Sequence, residues 1–384
     1  MEMAWGGNPF EKEKQMSLYI HIPFCNSKCA YCNFISFENN DKQIPKYLDA
    51  LYEEIDERGK EYKDYKITTI YIGGGTPSIL PEGEVDELMQ FIRSRFTILY
   101  DESVTIEANP KSLTKEKAKE YFNAGINRIS LGLQTDNPSL LKLLNRPHNY
   151  EDFEKAVEYA KSAGFSDINA DILLGIPNQT LRDVKITLDK LIKLPITHIS
   201  AYGLILEKGT PISKSIDTGK LKICNEDLAN KMYDYTVKRL NEAGFYRYEI
   251  SNFAKESYAS KHNLNYWNRG EYLGLGLASH SFVNAEHWHN TENLQKYLKN
   301  PADCKEDIEK QTLKTAKQET IMLSLRTEAG LDIREFNREF DANFMQDYKM
   351  QIKSLLEANL ITIQDLVVTI NDFNVSNAII EEFF

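Results

Sequence analysis

The chain has 384 residues, 42% of them hydrophobic, which is enough for a sizeable core and about two domains. A net charge of −11 repels phosphate backbones, so no nucleic acid is expected as a partner. No apolar run is long enough for an integral membrane segment, and Met1 to Lys14 lacks the basic start and apolar core of a signal peptide, so a cytoplasmic location is expected.

Residues 1–16 are polar and aperiodic and are set aside as a leader. Ser17 to Ile22 reads as a strand halted by Pro23. On the following loop lie Cys25, Cys29 and Cys32, while the remaining cysteines, Cys224 and Cys304, are isolated and read as reduced thiols. A Cys-x3-Cys-x2-Cys loop suits a [4Fe–4S] cube, with three thiolates on three irons and the fourth iron open to a substrate. The competing reading is a zinc site completed by His21 or another side chain.

A helix with one buried face is expected over 43–61, from Ile44, Tyr47, Leu48, Leu51 and Ile55. The same strand and helix unit then recurs. Strands are expected at 67–72, 103–107, 128–133, 166–174 and 196–204, with helices after each of the first four of these. Six strands alternating with helices imply parallel pairing, and the unusual residues fall at strand carboxyl ends, so the fold class is α/β with a partial (β/α)6 barrel over 17–207.

Gly73 to Pro77 ends the second strand. The bland reading is a turn; the functional one is a cradle whose free N–H groups hold a carboxylate. Glu107, Gln134, Arg146 and Asp171 would each be an ordinary surface residue if taken singly. Converging on one mouth, they match the ribose, ammonium and carboxylate of S-adenosylmethionine.

Residues 208–312 form an extension with a helix at 225–243, a strand at 245–251, and an unassigned aromatic stretch from Asn252 to Trp288. Within it, His262-Asn-Leu-Asn-Tyr-Trp267 sets an imidazole beside aromatic faces. That is either a satisfied structural histidine or a haem axial ligand, with His280, His287 and His289 as rivals. From Leu313 to Phe384 a helical series with a hairpin at 361–370 suggests a small winged-helix-like domain. Its seven Lys or Arg against twelve Asp or Glu argue against DNA.

Taken together, Tyr19 to Cys25, Gly73 to Pro77, Glu107 to Pro110, Ser130 to Gln134, Asn169 to Pro177, Tyr248 to Ala254 and His262 to Trp267 resemble the radical S-adenosylmethionine superfamily. Within it they resemble the branch of oxygen-independent coproporphyrinogen III oxidases and HemW-type haem chaperones. The resemblance implies a cluster on Cys25, Cys29 and Cys32. It further implies S-adenosylmethionine contacts from Tyr19, Tyr31, Gly74, Gly75, Thr76, Glu107, Gln134, Arg146 and Asp171. The oxidases resemble Cys-x3-Cys-x2-Cys-x-Cys, and here Phe34 stands at the last cysteine. The branch carrying His262-Asn-x-x-Tyr-Trp267 is that of the haem chaperones. The resemblance thus implies a protein that binds haem b, with His262 as axial ligand, and delivers it to apo-haemoproteins; release to an acceptor favours a single exposed histidine over a buried two-ligand site. Radical decarboxylation of coproporphyrinogen III is the enzymatic alternative.

Overall fold

The computed structural model describes residues 13–38 and 40–384; most of the leader lies outside these. The first strand, β1, runs over Gln15–Ile22, starting two residues before Ser17. It is followed by α1 (Ile44–Glu61), β2 (Lys66–Gly74), α2 (Glu84–Arg95), β3 (Thr97–Ala108), α3 (Lys115–Asn123) and β4 (Arg128–Gln134). Then come α4 (Pro138–Leu143), α5 (Tyr150–Ala163), β5 (Asp167–Leu174), α6 (Leu181–Leu191) and β6 (His198–Gly203). β1 to β6 pair in sequence order, all parallel, as repeated right-handed crossovers require.

The helices form for local reasons. Thr180 caps α6 and Asn149 caps α5, each in a reciprocal box with an aspartate three residues on. Gly164, at a φ of +118°, ends α5 in the left-handed conformation that favours glycine. Val85, Leu88, Met89 and Ile92 bury one stripe of α2 against the sheet.

The extension enlarges the sheet on both sides rather than standing apart. After α7 (Pro211–Asp217) and α8 (Glu226–Glu242), β7 (Tyr246–Arg247) and β8 (Asn252–Ala254) add antiparallel to β6. The strand expected over 245–251 is thus only two residues long, because the chain turns at 248–251, where Glu249 accepts from the Ser251 N–H. Beyond α9 (Lys261–Trp267), β9 (Tyr272–Leu275) pairs parallel to the outer edge of β1, and β10 (His280–Val283), β11 (Glu286–Asn290) and β12 (Lys305–Lys310) continue antiparallel. Among the described residues the sheet therefore holds twelve strands and stays open. Residues from Ala316 to Phe383 make a second apolar cluster, and the expected hairpin is Ile361–Gln364 paired with Val367–Ile370.

Candidate functional site

Along the six parallel strands the side chains alternate, and the face turned into the barrel is polar. Ser17, Tyr19 and His21 project from β1; Thr69 and Tyr71 from β2; Thr105 and Glu107 from β3; Ser130 and Gln134 from β4; Asn169 and Asp171 from β5; His198 and Ser200 from β6. Most are buried, so each needs an internal partner. Asn169 supplies several: its Nδ2 donates to Ser130 Oγ at 2.7 Å and to Asp171 Oδ1 at 2.7 Å, while its Oδ1 lies 2.6 Å from His198 Nδ1.

At the strand carboxyl ends a cavity of about 600 Å³ opens, lined by Cys25, Cys29 and Cys32 on one wall and by Glu107, Gln134 and Asp171 on the barrel floor. Tyr31, Gly74, Gly75, Thr76 and Arg146 also line it. The structure thus brings together every residue expected there except Tyr19. That side chain lies behind the cavity, stacked at 6.2 Å on Tyr71, with its hydroxyl 3.1 Å from His21 Nδ1.

All five cysteines are free thiols. Arg146 Nη1 donates to Cys29 Sγ at 3.2 Å, and its Nη2 to the Gly132 carbonyl at 2.7 Å. Burial pushes the Cys25 and Cys32 thiols up, so iron must displace protons to bind them. Among the described residues no three His, Cys, Asp or Glu side chains are drawn together as one metal ion requires. His21 is engaged at both ring nitrogens, by Tyr19 and by the Ile35 carbonyl, and is not placed to complete a zinc site.

The glycine loop differs from the cradle expected of it. Its N–H groups are already used: Gly74 donates to Glu107 Oε2, Gly75 to the Ile22 carbonyl and Thr76 to the Phe24 carbonyl. A Cβ on Gly75 would fall 2.6 Å from the Phe24 oxygen, and Gly74 sits at a φ of +110° against the His21 ring. The loop's glycines let it press against the cysteine loop, while Gly74 and Gly75 remain in the cavity wall.

Glu107 accepts from Tyr71 Oη at 2.8 Å, and burial, reinforced by the nearby Asp171 carboxylate, raises it to about 7. Asp171 is likewise pushed up by burial. Neither carboxylate forms an ion pair with a cation among the described residues, although both face the cavity. Arg146 Nε is buried without a partner. This donor set suits a ligand that brings both an ammonium and a carboxylate, as S-adenosylmethionine does. Tyr71, Ser130 and Tyr202 also line the cavity and were not anticipated, although their alternation with apolar neighbours would have placed them there.

His262 does not stand as an exposed axial ligand. It is 2% exposed, on the inner side of α9. Its Nδ1 lies 2.7 Å from Thr69 Oγ1, which itself donates to Ser17 Oγ, so Nδ1 carries the proton. Nε2 then accepts from the Tyr266 hydroxyl at 2.8 Å, which occupies the lone pair an iron would need. Its ring lies 5.0 Å from that of Tyr71, the residue that holds Glu107. Burial, with Arg128 nearby, pushes it down to about 3 and keeps it neutral. Of its rivals, His287 lies 3.3 Å from Glu319 and His289 3.1 Å from Asp307, whereas His280 is exposed.

Residues 19–191 match the radical SAM superfamily and residues 311–368 the HemN C-terminal domain. The heme chaperone HemW of Lactococcus lactis subsp. lactis is 34% identical, over 97% of this chain and 98% of that protein. The heme chaperone HemW of Bacillus subtilis is 32% identical, over 90% and 92%. In fold, the chain matches coproporphyrinogen III oxidase (HemN) from Escherichia coli with a TM-score of 0.86, at 21% identity over 97% of this chain and 90% of that one.

Proposed function

Because the chain belongs to the HemW family within the radical SAM superfamily, we propose that it binds haem b and passes it to apo-haemoproteins in the cytoplasm. In this reading Cys25, Cys29 and Cys32 hold a [4Fe–4S] cluster, and S-adenosylmethionine fills the cavity beside it. The observation that carries the reading is the match to HemW proteins over nearly the whole chain, together with a cavity that joins the three thiols to two unpaired carboxylates. Among the described residues no helix is long and apolar enough to cross a membrane.

The cluster, when bound, supplies one-electron chemistry next to the sulfonium. The chain's own residues do the rest. Glu107 and Asp171 attract the ammonium, Arg146 serves the carboxylate while bonded to Cys29, and Tyr71 fixes Glu107 from behind. Phe34 is 67% exposed at the cavity rim, where the oxidase pattern has a cysteine, and its side chain offers an apolar surface but no thiol chemistry.

Two measurements test this reading. Reconstituted protein should transfer haem to an apo-haemoprotein, followed as growth of the holo-acceptor, and should form no protoporphyrinogen from coproporphyrinogen III. Porphyrinogen turnover without haem transfer would overturn it in favour of the oxidase.

The site also predicts a proton signature. A cationic ligand next to Glu107 lowers a pKa that burial has raised to about 7. Binding of S-adenosylmethionine at about pH 6 should therefore release close to one proton, and the release should disappear, and give way to uptake by the ligand's amine, at about pH 8.5. Calorimetry in buffers of different ionisation enthalpy reads this directly. Release that does not change with pH, or that vanishes in neither Glu107→Gln nor Asp171→Asn, would place the ammonium elsewhere.

A further inference from the structure

A second cavity, of about 610 Å³, lies beside the first and shares with it the wall from Tyr202 to Ile205 at the end of β6. The loop after β5, the first half of α8, and Phe373, Asn374 and Asn377 of the C-terminal domain close its other sides. Its size falls within the roughly 300–1,000 Å³ common for organic ligands. The lining is unfavourable to anions. Its single formal charge is the Glu226 carboxylate in the first turn of α8, which forms no ion pair among the described residues. Taken alone, that is an ordinary first-turn residue facing the helix dipole, but it repels any phosphate or carboxylate that the same helix end would otherwise attract.

The rest of the lining is apolar surface and uncharged hydrogen-bonding groups. Ile205 and Ile223 are 72% and 65% exposed at the cavity, and Leu206 and Phe373 continue that surface. The Phe373 ring is fixed by Arg247, whose guanidinium lies 4.0 Å from its centroid and is paired with Glu328. Three asparagines supply the polar part. Asn230 has neither end of its amide bonded to another side chain or to the backbone among the described residues. Asn374 gives its Nδ2 to Asp234 at 2.9 Å and keeps its carbonyl, while the Asn377 carbonyl accepts from Arg326 at 3.0 Å and its amino group is left over. An asparagine amide matches the N6 and N7 edge of adenine in a bidentate pair, a carboxylate accepts from ribose hydroxyls, and an aromatic face stacks on the base. The first cavity is built the other way, with Glu107, Asp171 and Arg146 facing a charged amino-acid part.

We propose that this second cavity binds an uncharged purine nucleoside of the adenosine type, its base against Ile205, Ile223 and Phe373 with one edge on Asn230, and its ribose on Glu226. The site needs neither haem nor an acceptor protein, so it stands or falls apart from the haem-carrier reading. Because the wall from Tyr202 to Ile205 is common to both cavities, a nucleoside here borders the place assigned to S-adenosylmethionine, whose own nucleoside part is of this class.

Adenosine, 5′-deoxyadenosine and adenosine 5′-monophosphate are titrated by calorimetry into the full cluster-loaded chain saturated with S-adenosylmethionine, and into Asn230→Leu and Glu226→Lys treated alike. Both nucleosides should bind the parent, and the monophosphate at least roughly tenfold more weakly, about 1.4 kcal/mol. With iron content unchanged, Asn230→Leu should weaken the nucleosides by a similar factor, whereas Glu226→Lys should weaken them and bring the monophosphate level with them or ahead. Independently of any variant, adenosine should slow alkylation of Cys224, which lines the cavity and is half-buried, in peptides read by mass spectrometry. An affinity for 5′-deoxyadenosine equal to or above that for adenosine assigns the site to the nucleoside part of S-adenosylmethionine, and the reverse order assigns it to free adenosine; either supports the site. Absence of nucleoside binding to the saturated parent would overturn the proposal, as would a monophosphate that binds the parent as tightly as adenosine. Nucleoside binding that is unchanged in Asn230→Leu and leaves Cys224 unprotected would overturn it too, because the nucleoside would then sit elsewhere.

Discussion

Alanine at any one of Cys25, Cys29 and Cys32 should reduce bound iron from about four per chain to near zero, because two thiolates cannot hold three corners of a cube. The effect is expected to be equal at the three positions despite their different surroundings. Cys25 is buried, with Thr76 Oγ1 3.5 Å from its sulfur, while Cys29 is half-buried under Arg146. Iron and sulfide assays with absorbance near the thiolate charge-transfer bands check this. S-adenosylmethionine binding should fall with the cluster, since the ligand then retains only Glu107, Asp171 and Arg146. Because burial raises the Cys25 and Cys32 thiols, reconstitution should also slow as pH falls. A Cys29→Ala protein that still holds four irons would remove Cys29 from the cluster and free Arg146 for another role.

The local signals that placed the cluster loop were strong because they needed no tertiary information. Three cysteines within eight residues, a strand ended by Pro23, and strand–helix alternation through Leu204 are all written in short stretches of chain. What stayed hidden depended on distant partners or on very short elements. β9 and β10 are four residues each, too short to show a period, and β9 is a strand only because the outer edge of β1 was open to receive it. The glycine loop reads as a ligand cradle from composition, whereas its N–H groups are taken by Ile22, Phe24 and Glu107. The inward polar face of β1 to β6 was legible in principle. Polar residues alternate with isoleucine, leucine and alanine in strands that lie under helices, and that pattern marks a barrel lined with hydrogen-bonding groups rather than a solvated sheet.

His262 shows most clearly how remote a deciding partner can be, for Thr69 lies 193 positions away in the chain. Its removal is the second large effect expected. In His262→Ala the hydroxyls of Thr69 and Tyr266 lose their shared partner inside the barrel, at about 1–3 kcal/mol for each left unsatisfied. The ring that backs Tyr71 goes as well, and with it the support for the Tyr71 bond to Glu107. His262 is therefore a positioning residue for the S-adenosylmethionine cavity, and the variant should bind that ligand roughly tenfold more weakly or worse, about 1.4 kcal/mol. His262→Gln, which can still bridge two hydroxyls, should recover part of the affinity; a role in bulk packing alone would not show this rescue. Haem titration separates the two roles of the histidine. If Nε2 is held by Tyr266 in solution, the haem spectrum and affinity of His262→Ala match the parent once cluster content is equal. A changed haem spectrum with unaltered S-adenosylmethionine affinity would return His262 to the iron and require Tyr266 to swing away from it.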